Sequence, residues 1–318
     1  MRLVKPANDS YLRERIIESS IKDGSDELSL PHYALSHLWG ISEENPHLWH
    51  DIGDYVDDEH GQPAAAISMR PEKRDTLFKL LEYHRGSYWW IDVLCARTDT
   101  PLEIMGDIYK YCRTCYAMLD CNSLIISLQS LNIRGQFLIT MTVNEFWRAV
   151  DILDTLARSA WWKRVWTWQE MILPRQVLLI AETEELIYNT VDVDLLGDFV
   201  VRIWRPKEIK HGDGFKTSSR RCTKPEDYVY GVLGVFQFEL PRGIKHNELW
   251  QLFISKVENA SKHCQWIQVS PHAREFDLLT AQDMAHVFQA LLGYEPKNRD
   301  YLLDALRMVQ KAISGAQL

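Results

Sequence analysis

The sequence predicts an α/β fold: a parallel sheet flanked by helices, followed by a mainly helical C-terminal extension. Three observations carry this. Short apolar, aromatic or β-branched runs alternate with segments of helical period through the first half of the chain. Proline or a capping box opens the helical segments, and glycine closes them. Beyond about residue 190 the patterns turn helical. With 318 residues, 46% hydrophobic and 25% charged, the chain can bury a large core.

The elements follow in order. Tyr11 to Ile21 places Leu12, Ile16 and Ile17 at helical spacing. Tyr33-Ala34-Leu35-Ser36-His37-Leu38-Trp39-Gly40 reads as a buried strand ending at a glycine turn. Ile41 to Met69 is acidic and rich in turn formers, a long surface loop. Pro71 opens a helix through Leu77, Leu80 and Leu81 that stops near Gly86. Tyr88 to Cys95 is aromatic and β-branched, a strand. Asp92 interrupts it, and a buried carboxylate there marks a site or a loop-tethering bond.

Thr100-Pro101-Leu102-Glu103 is a capping box, which makes Glu103 a helix cap rather than a catalytic acid. Its helix turns Met105, Ile108, Tyr109 and Cys112 inward. Tyr116 to Leu119 is a strand. Cys121 to Met141 fits no single period and reads as an insertion. Thr142 to Glu145 opens a helix through Trp147, Val150, Leu153 and Leu156. A tryptophan-rich helix, Trp161 to Glu170, ends before Pro174. Gln176 to Ala181 is a strand, with Glu185 to Tyr188 placed to pair as its hairpin. Helical patterns cover Val191 to Trp204, Pro225 to Val235, Glu248 to Lys262, Ala281 to Leu292 and Tyr301 to Ile313. Pro206 to Lys224 reads as a polar loop. The division expected is an α/β core over 1–190 and a helical extension over 191–318.

Composition and motifs exclude several classes. A net charge of -8 argues against binding to nucleic acid or acidic membranes. No apolar run is long enough to span a bilayer, and the N-terminus lacks the form of a signal peptide. Six cysteines, with Cys112 and Cys115 as helix-packed thiols, fit a reducing cytoplasmic compartment. His47, His50 and His60 lack a companion metal motif, and no metal or cofactor is expected. There is no G-x-G-x-x-G, no P-loop and no G-x-S-x-G elbow, which argues against dinucleotide dehydrogenases, P-loop enzymes and α/β-hydrolases.

The segment Trp161 to Glu170 holds four tryptophans and one glutamate. At helical spacing Trp162, Trp166 and Glu170 share one stripe. Aromatic packing desolvates such a carboxylate, as in many acid/base sites. The other reading is a core helix whose Glu170 pairs with Arg164, Arg175 or a backbone donor.

Three separated segments resemble a known family, the fungal heterokaryon-incompatibility (HET) domain. Tyr33 to Gly40 resembles its opening Y-x-A-L-S-Y-x-W-G, and Trp90 to Cys95 its W-I-D-x-L-C. Arg164-Val165-Trp166-Thr167-Trp168-Gln169-Glu170 resembles its R-x-W-T-L-Q-E. Asp227-Tyr228-Val229-Tyr230-Gly231-Val232-Leu233-Gly234 is similar to a segment that often follows. Ala96-Arg97-Thr98 departs from the family's usual Ile-x-Gln or Ile-x-Asn.

HET domains are in turn similar to Toll/interleukin-receptor (TIR) domains, flavodoxin-like α/β modules. The resemblance implies an effector of programmed cell death in nonself recognition, with self-association through TIR-like surfaces. In NAD-cleaving TIR members the W-x-x-x-E segment bears the catalytic glutamate, which implies Glu170 here, with NAD as substrate rather than cofactor. A fixed carboxylate would stabilise the oxocarbenium-like ribose formed when nicotinamide leaves. Ser36, His37, Trp39, Asp92, Arg97 and Trp166 are then the candidate substrate-binding residues. The competing expectation is a non-enzymatic assembly module in which the tryptophan segment and the loop after Asp92 form oligomer contacts.

Overall fold

Strand β1 (His32–His37) is buried at every residue, as befits the centre of a sheet covered on both faces. The structure, a computed structural model, describes residues 32–39, 47–58, 60–96, 100, 102–122, 142, 144, 159–183, 190–193, 220–262 and 268–293. The expected helices at 11–21 and 301–313, all but Thr142 and Asn144 of the one from 142, the insertion beyond 122 and the hairpin strand at 185–188 lie outside these residues.

After β1, a two-residue strand β2 (Leu48–Trp49) pairs antiparallel with β3 (Ile67–Ser68). The segment read as loop thus contains a small hairpin. Its apolar residues Trp49, Ile52 and Val56 are buried. Helix α1 (Pro71–Tyr83) starts on its proline and buries Leu77, Leu80 and Leu81. Strand β4 (Tyr88–Ile91) pairs parallel with β1, Leu35 opposite Ile91. The strand expected to reach Cys95 stops at Ile91, and Asp92–Cys95 forms one helical turn, α2. An aspartate at the first helical position suits the positive end of that turn.

Helix α3 (Leu102–Tyr111) leads into β5 (Thr114–Asn122), which pairs parallel with β1 on its other side, His37 opposite Met118. Met105, Ile108, Tyr109 and Cys112 are buried as the spacing predicts. Strand β6 (Val177–Thr183) continues parallel to β5. Strand β7 (Val191–Asp192) pairs antiparallel with β6, so the helix expected to start at Val191 begins instead as an edge strand that covers β6's open hydrogen-bonding side.

The sheet order is β4-β1-β5-β6-β7. Counting sheet strands only, this is the second-first-third-fourth-fifth order of flavodoxin-like sheets. The chain reverses its direction of winding between β1 and β5. In open α/β sheets that switch point, outside the carboxyl ends of the strands, is where ligands bind.

The tryptophan segment is not one helix. A 3-10 turn covers Ala160–Lys163, and helix α4 spans Thr167–Ile172. Between them Arg164 forms a parallel bridge with Arg221. Arg221 N donates to Lys163 O at 2.5 Å, and Val165 N donates to Arg221 O at 3.1 Å. These backbone groups are satisfied across the chain rather than along a helix. The expected stripe of Trp162, Trp166 and Glu170 is therefore broken before Glu170's helix begins.

Contacts divide the chain into two compact units. One holds 1–100, 107–161 and 174–211, and the other holds 101–106, 162–173 and 212–318. The second contains α4, α5 (Asp227–Tyr230), α6 (Leu233–Phe236), α7 (His246–Ser261) and α8 (Met284–Leu292). The single helix expected over Pro225 to Val235 is thus two short ones. In α7 the buried Leu249, Trp250, Phe253, Ile254 and Val257 recur at helical spacing. Asp283 caps α8 by accepting from His286 N at 3.0 Å. Among the described residues no helix is long and apolar enough to cross a membrane.

Candidate functional site

The first unit presents four of the sequence-predicted residues at the carboxyl edge of its sheet. Ser36 and His37 end β1, and Asp92 follows β4 one residue beyond the Leu35–Ile91 pair. Each is tied down. Ser36 Oγ accepts from the Trp161 indole at 2.7 Å, so that tryptophan anchors its segment to the sheet. His37 is buried, and its Nδ1 donates to the Leu38 carbonyl at 3.1 Å. That acceptor fixes which ring nitrogen carries the proton. Asp92 Oδ1 accepts from Trp90 Nε1 at 2.5 Å and from the Tyr109 hydroxyl at 2.9 Å. Asp92 is thus a tether between the β4 corner and α3, one of its two expected roles. Trp39, just past β1, is 44% exposed. Arg97 lies outside the described residues, as does the Glu103 side chain.

The same edge carries a charged cluster that the sequence reading does not single out. Lys73, in the first turn of α1, is 1% exposed. Its Nζ donates to the Leu38 carbonyl at 2.7 Å and pairs with Glu182 Oε2 at 3.3 Å. Arg70 pairs with the other oxygen of Glu182. Thr76 Oγ1 donates to the Glu182 carbonyl at 2.8 Å. Burying Lys73 and Glu182 is tolerable because each supplies the other's counter-charge. Through Leu38, Lys73 also fixes the backbone that carries Trp39. The periodicity of α1 puts Lys73, three residues before Thr76 and four before Leu77, on the inward face. A buried lysine so placed was the available signal.

Cys112 and Cys115 are both buried. Burial pushes the Cys112 thiol up, so it is poorly disposed to ionise or bind metal. Among the described residues no group of three His, Cys, Asp or Glu is arranged to hold a metal ion.

The second unit holds Trp166 and Glu170. Glu170 lies in α4 and is 4% exposed, beside the buried Thr167, Trp168, Gln169 and Met171. Trp166 donates a hydrogen bond to Asp227, whose carboxyl is nevertheless raised, chiefly by burial. Trp168 meets Phe288 of α8 edge-on, with ring centroids 5.6 Å apart.

Residues 220–234 are built onto this motif position by position. The bridge of Arg221 meets Arg164, and Asp227 meets Trp166. A Cβ on Gly231 would lie 2.6 Å from Val165 Cγ1. One on Gly234 would lie 2.5 Å from both Gln169 Oε1 and Gly106 Cα. These two glycines of the Asp227-to-Gly234 segment are therefore required by close approach rather than by turn geometry. Arg220, placed by sequence in a polar loop, is instead 1% exposed. Its Nη1 donates to the Arg164 carbonyl at 2.8 Å and to Thr167 Oγ1 at 2.5 Å. No local pattern marks it, because the partners are some fifty residues away.

A family model described as Heterokaryon incompatibility protein (HET) matches residues 32–170. The match opens on the first residue of β1 and closes on Glu170. No curated protein and no solved structure matches the chain.

Proposed function

We propose, from the premise that residues 32–170 belong to the heterokaryon incompatibility family, that this chain acts in heterokaryon incompatibility as an effector of cell death and cleaves NAD at the nicotinamide–ribose bond. The observation that carries the chemistry is the burial of Glu170 in the third motif. Carboxylates are rarely buried unless paired, and this one closes the segment that the family model matches. A desolvated, fixed carboxylate stabilises a developing sugar cation far better than one in water. In that reaction the C–N bond to nicotinamide breaks, the leaving ring takes the electron pair, and water adds to the ribose carbon. Glu170 holds the cation between those events.

A second reading, assembly without chemistry, is favoured by one observation. Ser36 and Asp92 both spend side-chain hydrogen bonds on the fold. One experiment separates the two. Purified wild type and Glu170→Gln are incubated with NAD across a range of protein concentration. We expect turnover by wild type and a loss of about 100-fold or more in the variant. NAD left intact by wild type at every concentration, with cell toxicity surviving Glu170→Ala, would establish the assembly reading instead.

A further inference from the structure

We propose that Asp227 is the positioning residue for Trp166: its carboxylate holds the indole N–H and makes the ring face a seat for a flat, positively charged heteroaromatic ring, the pyridinium form of nicotinamide. The inference rests on the reading that this chain cleaves NAD. Of the four tryptophans between Trp161 and Glu170, Trp161, Trp162 and Trp168 are 0%, 1% and 0% exposed, whereas Trp166 is half-buried. Trp166 is therefore the indole of the four with surface left for a ligand. It stands one turn before Glu170, with helical φ of -59° and ψ of -39°.

One short turn holds Trp166 at two points. Asp227 opens α5, and its side chain accepts the hydrogen bond from Trp166. Gly231 closes the same turn, its N donating to Asp227 O at 2.9 Å. A Cβ on Gly231 would lie 3.5 Å from Trp166 N and 2.6 Å from Val165 Cγ1. The turn thus lies against the backbone of Trp166 at one end and holds its side chain at the other. Asp227 is itself anchored, its N donating to Lys224 O at 3.0 Å. An indole turns about two side-chain bonds, and a hydrogen bond at its N–H restrains both. The ring is set before any substrate arrives, which is what preorganisation requires.

The charge of the acceptor adds a second effect. Burial pushes the Asp227 carboxyl up from 3.8; the Trp166 bond and the nearby Lys224 and Arg164 favour its ionised form, against Glu226. Glu226 is paired in turn with His246 at 3.0 Å. A carboxylate on the N–H edge draws positive charge towards that edge and leaves the ring face more negative. Such a face attracts a cation placed over it. Oxidised nicotinamide carries a positive charge on its ring and the reduced form does not, so the pair selects NAD over NADH.

The test is isothermal titration of the full chain carrying Glu170→Gln, so that the nucleotide is held and not consumed, with NAD and with NADH. This parent should bind NAD about 10-fold more tightly than NADH. Adding Asp227→Asn keeps an oxygen for the indole N–H and removes the charge, so the preference should fall to about 2-fold. Adding Asp227→Leu removes the acceptor as well, and affinity for NAD should fall by about 10-fold. A purely structural Asp227 would leave the NAD-to-NADH ratio unmoved. An Asp227→Asn protein with the parent's preference, an Asp227→Leu protein with the parent's affinity, or a parent without preference overturns the proposal. Should Glu170→Gln or Asp227→Leu fail to fold, wild type and Asp227→Asn are titrated with 1-methylnicotinamide and nicotinamide, a cation and a neutral ring with no ribose to cleave, and the same loss of preference is expected. NAD turnover by wild type is read separately. Turnover with binding indifferent to Asp227 removes this inference and leaves the catalytic reading standing; binding that follows Asp227 in a wild type that leaves NAD intact does the reverse.

Discussion

Two glutamates are buried to the same degree, Glu182 and Glu170, each 4% exposed, and they sit in different settings. Glu182 ends a strand of the sheet and is enclosed by cations, Lys73 and Arg70, that come from the start of α1. Glu170 lies on a short helix whose buried residues also include Thr167, Trp168, Gln169 and Met171. Glu182 has two named cations and a strand end to stabilise. Glu170 closes the segment that a family model matches. Burial alone therefore does not mark a functional carboxylate; its place at the close of the matched segment is what sets Glu170 apart from Glu182.

The strongest way to break this comparison is Lys73→Met. If Glu182 is a structural fastener, removing its buried partner should cost about 4 kcal/mol, the range for an orphaned buried charge. Urea unfolding measures it. A loss below 1 kcal/mol would mean that Arg70 alone satisfies Glu182 and that the cluster matters little to the fold.

Mild acid tests the sheet side of the comparison next. His32 is fully buried at the start of β1, and its Nε2 donates to the Ile108 carbonyl at 2.9 Å. Burial lowers its pKa from 6.5 to about 4. Between those values the unfolded chain binds a proton that the folded chain refuses, so stability falls as pH drops from 6.5 towards 4. The full effect is on the order of 3 kcal/mol. His32→Gln keeps an N–H donor for Ile108 and should flatten the Tm-against-pH curve across that window. Parallel curves for the two proteins would show that His32 is not the acid sensor of the sheet.

A smaller blow falls on the Glu170 side. Gly234→Ala forces a methyl group onto Gln169 and the Gly106 backbone. Overpacking of this kind costs about 2 kcal/mol. The change should also lower NAD turnover, since Gln169 adjoins Glu170, whereas Lys73→Met acts through stability. Calorimetry together with NAD consumption would show it. A Gly234→Ala protein as stable as wild type would remove the claim that residues 220–234 are fitted to the third motif.

Some of this was legible from local pattern. The alternation of apolar strands with capped helices marked β1, β4, β5, β6, α1, α3 and α7, because each is stabilised by a face whose period can be counted along the chain. Asp92 was legible as an anomaly, a carboxylate inside an apolar run, although its two roles could be told apart only when Trp90 and Tyr109 were seen to bond it.

Other features were set by partners far away in sequence. The tryptophan segment has helical spacing, yet Lys163 and Val165 find backbone partners on Arg221, and the helix does not form until Thr167. Val191 has a helical pattern around it and becomes an edge strand because β6 offers an open side. Lys73 meets its counter-charge only because α1 carries it to Glu182, more than a hundred residues on in the chain. The sequence by itself determined the parallel α/β class, the motifs that resemble the HET family and the candidacy of Glu170, since these rest on neighbouring residues and short periods. Tertiary structure decided which charges are buried together and where the motif helix begins, because hydrogen bonds and counter-charges are satisfied by whatever folding brings within about 3 Å, irrespective of distance along the chain.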